Sequence, residues 1–200
     1  MSRSFGSLTV ALLFCVAGLL PHRAAAQHGF VVMPVAEKMI ARLPAGPLFW
    51  RIRSFASIGE ARAAEGPTSL AAECTGKAWL LTLGPMGGAL PGTGKIVEIG
   101  PVPPIAADKY LLRINCASGP PGAATAVHTH PGSEAFYVLA GQLSQRTPHG
   151  VKSAPAGQSM PGHDAGTPME VASTGTTDLS ALVMFVVDAG KPFSSPADFE

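Results

Sequence analysis

Two histidines one residue apart, followed by a glutamate, stand within GAATAVHTHPGSEAFYVLAG: His128, His130 and Glu134. In an extended chain residues i and i+2 project to the same side. His128 and His130 therefore point together, and Thr129 points away. Pro131-Gly132-Ser133 reads as a turn, and Glu134 opens a second extended run in which Glu134, Phe136 and Val138 share one face. If that face is interior, the turn returns the carboxylate to the two imidazoles in apolar surroundings. Three such groups are costly to bury without partners, and a divalent metal satisfies all of them at once. The competing reading is a pair of exposed histidines near a turn, with Glu134 in a surface ion pair.

The elements that would hold these residues are short strands. KIVEIG, KYLLRINCAS, TAVHTH, EAFYVLAGQLSQRT, GVKSAPAG, TPMEVAS and LSALVMFVVDAG follow one another from residue 94, separated by Gly- or Pro-containing turns. Regular short strands with turn signals predict an antiparallel sandwich or barrel. Upstream, Val35, Met39, Ile40 and Leu43 fall at helical spacing between Pro34 and Pro44, which predicts a short helix. PLFWRIRSFAS alternates as a strand, SIGEARAAEG reads as a helical turn or two ending at Gly66, and residues 68–84 read as a hairpin around Thr75-Gly76-Lys77. GPMGGALPGTG is a loop, and KPFSSPADFE is an ordered or semi-ordered tail. No phosphate-cradling glycine loop precedes a helix, and no G-x-S-x-G elbow is present.

Composition narrows the classes further. The 200 residues are 46% hydrophobic and 14% charged, with 23 glycines, 19 prolines and a formal net charge of +1. That balance, without a basic run, excludes a nucleic-acid partner on electrostatic grounds. Residues 1–26 combine Arg3, an apolar run from Leu8 to Leu20 and Ala24-Ala25-Ala26. This is the pattern of a secretory signal peptide, too short to span a bilayer comfortably. The expected locale is thus periplasmic or secreted, with no membrane association after cleavage. In an oxidising compartment Cys74 and Cys116 form either one disulfide or two buried thiols; a bridge would tie the N-terminal hairpin to the strands beyond. Met169, Met184 and Phe185 read as core fillers, and Trp50 and Trp79 as core or subunit contacts.

The spacing Gly122-x5-His128-x-His130-x3-Glu134-x6-Gly141 resembles the first motif of the cupin superfamily at every fixed position. The resemblance covers about residues 94–190. It implies an all-β fold, an antiparallel double-stranded β-helix (cupin or jelly-roll) barrel, here with a small N-terminal α/β extension. The organisation is then 1–26 signal peptide, 27–93 an extension packing on the barrel or on a partner subunit, 94–190 barrel and 191–200 tail. The family further implies a divalent transition metal (Fe, Mn, Ni, Cu or Zn) held by His128, His130 and Glu134, with Glu134 also the candidate catalytic group. A small-molecule substrate and a homodimer follow from the same likeness.

A second motif normally adds a histidine ligand. Here Gly150 and Pro155-Ala156-Gly157 match it, but Met160 stands at the histidine position and Asp164 at the asparagine position, and the nearby histidine is His163. The fourth ligand is His163, or Met160, or neither. Within the family, dioxygenases, lyases and isomerases share this barrel, as do modules that bind a metal or ligand without turnover; oxygenase-type chemistry is the favoured expectation.

Overall fold

The computed structural model describes residues 29–89 and 97–199. The signal peptide expected at 1–26, and part of the loop expected at 84–94, lie outside the described residues. Fourteen strands and one helix occur among those described: β1 (Val31–Ile40), β2 (Leu48–Phe55), α1 (Ile58–Ala63), β3 (Ser69–Cys74), β4 (Lys77–Pro85), β5 (Val97–Ile99), β6 (Tyr110–Gly119), β7 (His128–Thr129), β8 (Gly132–Ala140), β9 (Gln142–Thr147), β10 (Gly150–Pro155), β11 (Ser159–Met160), β12 (Glu170–Ser173), β13 (Leu179–Asp188) and β14 (Ser195–Pro196). No helix among them is long and apolar enough to cross a membrane.

All strand pairs are antiparallel. A five-stranded sheet runs β1-β6-β13-β8-β11, a three-stranded sheet runs β10-β9-β12, and β14 pairs with β7. A further four-stranded sheet, β3-β4-β2-β5, comes from the N-terminal part. The long central strands are rich in Val, Ile, Leu and Phe, residues that suit a pleated surface packed on both sides.

Because side chains alternate, the five-stranded sheet has two apolar faces. On one, Leu112, Ile114, Ala135, Leu182, Met184 and Val186 pack against Trp50, Ile52, Leu70, Leu81 and Leu83 of the N-terminal sheet. Trp79 meets Tyr137 edge to face, ring centroids 6.2 Å apart, across the same boundary. On the other face, Ala117, Phe136, Val138, Val183 and Phe185 meet Leu143, Ala154 and Val171 of the three-stranded sheet and form the barrel interior.

Cys74 and Cys116 are disulfide-bonded, with Cα atoms 5.7 Å apart and a sequence separation of 42. The bond ties β3 to β6. Closing a loop of that length is worth about 4 kcal/mol in the chain-entropy account.

One segment differs from the sequence expectation. Residues 31–40 are not a helix but strand β1, paired with β6 and interrupted by a bulge between Pro34 and Ala36. Pro34 lacks a ladder donor, which an edge strand with a bulge tolerates. The apolar residues at helical spacing do not share a face, for Met39 is 57% exposed while Ile40 packs on the core. Beyond the bulge, exposure follows a period of two, and the β-branched Val31, Val32 and Val35 suit that conformation.

The boundary drawn at residues 93 and 94 is crossed both ways: β1 joins the barrel sheet, and β5 joins the N-terminal sheet through β2. TAVHTH is regular only at His128–Thr129, EAFYVLAGQLSQRT divides at Gly141 into β8 and β9, and β11 lies between the segments read as strands; the other elements follow the sequence reading.

Candidate metal centre

His128 lies on β7, and the backbone of His128 is held by a reciprocal pair of hydrogen bonds with Met169, 2.9 and 2.8 Å. Two residues on, the His130 carbonyl accepts from Gly166 N–H at 2.9 Å. Glu134 is in β8, opposite Phe185 of β13. The reversal is tighter than expected. Gly132 and Ser133 already belong to β8, so only His130 and Pro131 lie between the two strands. Gly132 is there for close approach: a Cβ at this position would lie 2.2 Å from the Val186 carbonyl oxygen of the neighbouring strand.

The result brings His128, His130 and Glu134 together, their ligand atoms all within 4.8 Å of one another. His130 Nε2 stands 3.6 Å from Glu134 Oε2. The two imidazoles meet edge to face with centroids 4.9 Å apart. His130 and Glu134 are buried and His128 half-buried.

Second contacts orient the donors. His128 Nδ1 lies 2.8 Å from the Ala126 carbonyl oxygen, and His130 Nδ1 lies 2.7 Å from that of Phe193. A carbonyl oxygen only accepts, so each Nδ1 carries the proton and donates it. Each Nε2 is then an unprotonated donor available to a metal. Gln145 Nε2 donates to Glu134 Oε1 at 2.8 Å and leans on Met169 Sδ at 3.4 Å, leaving Oε2 on the side of the imidazoles.

Electrostatics without a cation follow from burial. Desolvation pushes the Glu134 carboxyl up to about 8, only partly opposed by the Gln145 hydrogen bond. Desolvation lowers His130 to about 4, helped by the charges of His128 and Arg113 and opposed by the Phe193 carbonyl. The carboxylate thus lacks a positive partner, and the imidazole is held neutral. Two imidazole Nε2 atoms and one carboxylate without a positive partner are a donor set that a divalent transition ion fits.

The triad forms part of the wall of a cavity of about 350 Å³, otherwise mostly apolar, with Val32, Ala117, Phe136, Val171, Val183 and Phe185 in its lining. Phe185, expected to be core filler, also stacks on His130 with centroids 4.9 Å apart.

Of the candidates for a fourth ligand, His163 is not part of the converging group. Its ring lies 6.3 Å from that of exposed His149. Its neighbour Gly162 packs so tightly on the Glu134 backbone that a Cβ there would clash with the Glu134 carbonyl oxygen. Met160 is buried, paired with Phe136 and packed in the barrel core.

Three contributors were not identified in the sequence. Gln145 alternates with Leu143 on an inward face, a legible signal without a visible partner. Phe193 comes from the tail, which folds back as β14 onto β7. Its ring packs on His130 and Phe185, with Arg113 3.8 Å above it. Asn115 lines the cavity from β6 and gave no sequence signal.

No protein-family model matches the chain, and no curated protein matches it. Similar solved structures include the DMSP lyase DddQ from Ruegeria pomeroyi, 22% identical over 43% of this chain and 43% of that one, TM-score 0.38. Others are a cupin-like protein from Thermotoga maritima (13%, 44% and 65%, 0.39) and the polyketide cyclase RemF from Streptomyces resistomycificus (16%, 44% and 62%, 0.37). This chain thus spans less than half the length of the lyase. The antiparallel five-stranded and three-stranded sheets, which face each other across the barrel core, make an all-β fold of the double-stranded β-helix type.

Proposed function

We propose that the protein is exported, binds a divalent transition metal through His128, His130 and Glu134, and acts as a metal-dependent enzyme on a small, largely apolar molecule. The observation that carries this reading is the convergence of three oriented donors on the wall of an apolar cavity, with no fourth His, Cys, Asp or Glu in the group among the described residues. Such a site leaves coordination positions for a ligand. When bound, the metal supplies Lewis acidity or, for a redox-active ion, the electron transfer that dioxygen chemistry requires. Two histidines with one carboxylate favour the oxygenase class, since that set suits non-haem iron.

The chain's own residues have distinct tasks. Ala126 and Phe193 hold the imidazole tautomers. Gln145 pins Glu134 Oε1 and leaves Oε2 as the atom that takes a metal or a proton. Phe136, Val171, Val183 and Phe185 exclude water and bind an apolar body. Among similar structures, a DMSP lyase and a polyketide cyclase act on small molecules, which supports that substrate class. Export is supported by the composition of residues 1–26 and by the Cys74–Cys116 disulfide, which suits an oxidising compartment. A homodimer is supported by edge strand β1, where Val31 and Met33 are 56% and 55% exposed.

The test is elemental analysis of protein recovered from its native compartment, followed by a substrate screen. A stoichiometric transition metal with an exchangeable water and turnover is the expected result. Metal without any accessible coordination position makes the protein a binding module, and no metal under any loading condition overturns the reading.

A further inference from the structure

Asn115 is 1% exposed, and its Oδ1 has no hydrogen-bond partner. It lines the same cavity as the triad, whose wall is mostly apolar, with Thr125 and Ser194 the other polar residues of the lining. An unpaired amide oxygen in such a place loses its solvation and gains nothing in the unliganded protein. Native structures keep few such atoms, and each calls for a partner.

Its position follows from the register. Asn115 of β6 is opposite Val183 of β13, and Val183 is opposite Phe136 of β8. Glu134 lies two residues further along β8, in the row of Phe185 and Arg113. Asn115 is therefore two strands and one row from Glu134. Neighbouring strands are about 4.8 Å apart and alternate residues about 7 Å, so their backbones are separated by more than 10 Å. That offset sets Asn115 well apart from Glu134 along the same wall of the cavity. Thr125, another polar residue of the lining, already uses its hydroxyl to accept from Val171 N–H at 3.0 Å.

We propose that Asn115 recognises the ligand, accepting through Oδ1 a hydrogen bond from a hydroxyl or N–H group on an apolar body, at the end remote from Glu134. The substrate class is thereby a small apolar molecule, such as an aromatic or alicyclic alcohol or amine, bearing at least one donor. The inference rests on the reading of this cavity as the substrate site. It deepens that reading, because a wholly apolar ligand would leave Oδ1 unpaired, whereas a site built around a hydrogen bond rejects the analogue that lacks it.

The experiment uses three probes of one shape: phenol, anisole and toluene. Binding to full-length mature protein is measured by calorimetry, in zinc-loaded and metal-free samples whose metal content is determined. Parent protein should bind phenol about tenfold more tightly than anisole or toluene in both samples, the net value of one buried hydrogen bond. Asn115→Leu should abolish that preference, retain the parent zinc stoichiometry and melt no lower than the parent, because it removes an unpaired polar atom. Asn115→Ala is the second variant if the leucine does not fold, and it too should lose the preference.

An unchanged phenol preference in either variant overturns the proposal, as does a parent that does not distinguish phenol from anisole. A lower melting temperature in Asn115→Leu, with the preference intact, would make Asn115 structural. Absence of zinc binding would instead sink the metal reading while leaving the phenol comparison decisive for Asn115.

Discussion

The five-stranded sheet presents two unlike faces, built from alternate residues of the same strands. The face toward the N-terminal sheet carries Leu112, Ile114, Leu182, Met184 and Val186 and is packed throughout by Trp50, Ile52, Leu81 and Leu83. The face toward the barrel carries Asn115, Glu134, Phe136, Val183 and Phe185 around a cavity. The first stabilises; the second gives up packing and buries polar groups that lack partners, which costs stability. The N-terminal layer therefore does more than decorate the barrel. It holds the shared sheet rigid from behind, where residue 135 faces one layer and residues 134 and 136 face the other.

The comparison breaks most decisively at the histidines. Changing His128 and His130 together to Ala should abolish metal binding and leave the other face intact, so metal stoichiometry falls to zero while the melting transition of the metal-free protein persists. A double variant that keeps metal at the parent stoichiometry removes the site from consideration.

On the opposite face, Trp50→Ala should cost about 3–5 kcal/mol in denaturant unfolding, the usual cost of truncating a fully buried aromatic. The folded fraction should still bind metal one to one. If metal affinity fell with stability, the two faces would not be separable. Replacing Cys74 and Cys116 by Ala should cost about 4 kcal/mol by the loop-closure argument, again without changing stoichiometry in the folded protein. Equal midpoints for oxidised and reduced parent protein would count against it.

Smaller effects sharpen the chemistry of the inner face. Gln145→Leu should weaken metal binding by about 10–100-fold, the typical effect of removing a partner that orients a ligand. It also removes the hydrogen bond that lowers the Glu134 pKa, so the pH at which metal binds should move upward.

The pH dependence of the parent has a definite sign. Glu134 is raised from 4.5 to about 8 by burial. Its contribution to metal-free stability is intact below the ordinary carboxylate range and is lost as pH climbs through about 8. His130 is lowered from 6.5 to about 4, so its contribution is intact above 6.5 and is lost as pH falls through about 4. Metal needs both groups deprotonated. The stabilisation conferred by metal should therefore increase with pH up to about 8, as melting curves with and without zinc would show. A flat difference between pH 5 and 8 would contradict the burial of Glu134.

Much of this was legible locally. His128 and His130 share a side because a strand repeats every two residues, and Glu134 shares a face with Phe136 for the same reason. The hairpin at Thr75-Gly76 was legible because both residues take positive φ, 53° and 69°, a conformation signalled by Gly in a tight turn. Where local pattern misled, at residues 31–40, a spacing compatible with a helix was overridden by pairing to β6. That override depends on a partner some 75 residues away and leaves no local trace.

The sequence by itself determined the succession of short strands, the shared side of His128 and His130 and the availability of two cysteines, because these depend on residue type and on a period of two. Tertiary structure decided which face of each strand became interior, that His128, His130 and Glu134 converge without His163, that Cys74 and Cys116 meet, and that Phe193 returns from the tail to His130. It also decided that Asn115 faces a cavity. The physical reason is common to all of these: each is a contact between segments distant in sequence, set by sheet register and layer packing, and an asparagine or phenylalanine carries no mark of the partner it will meet.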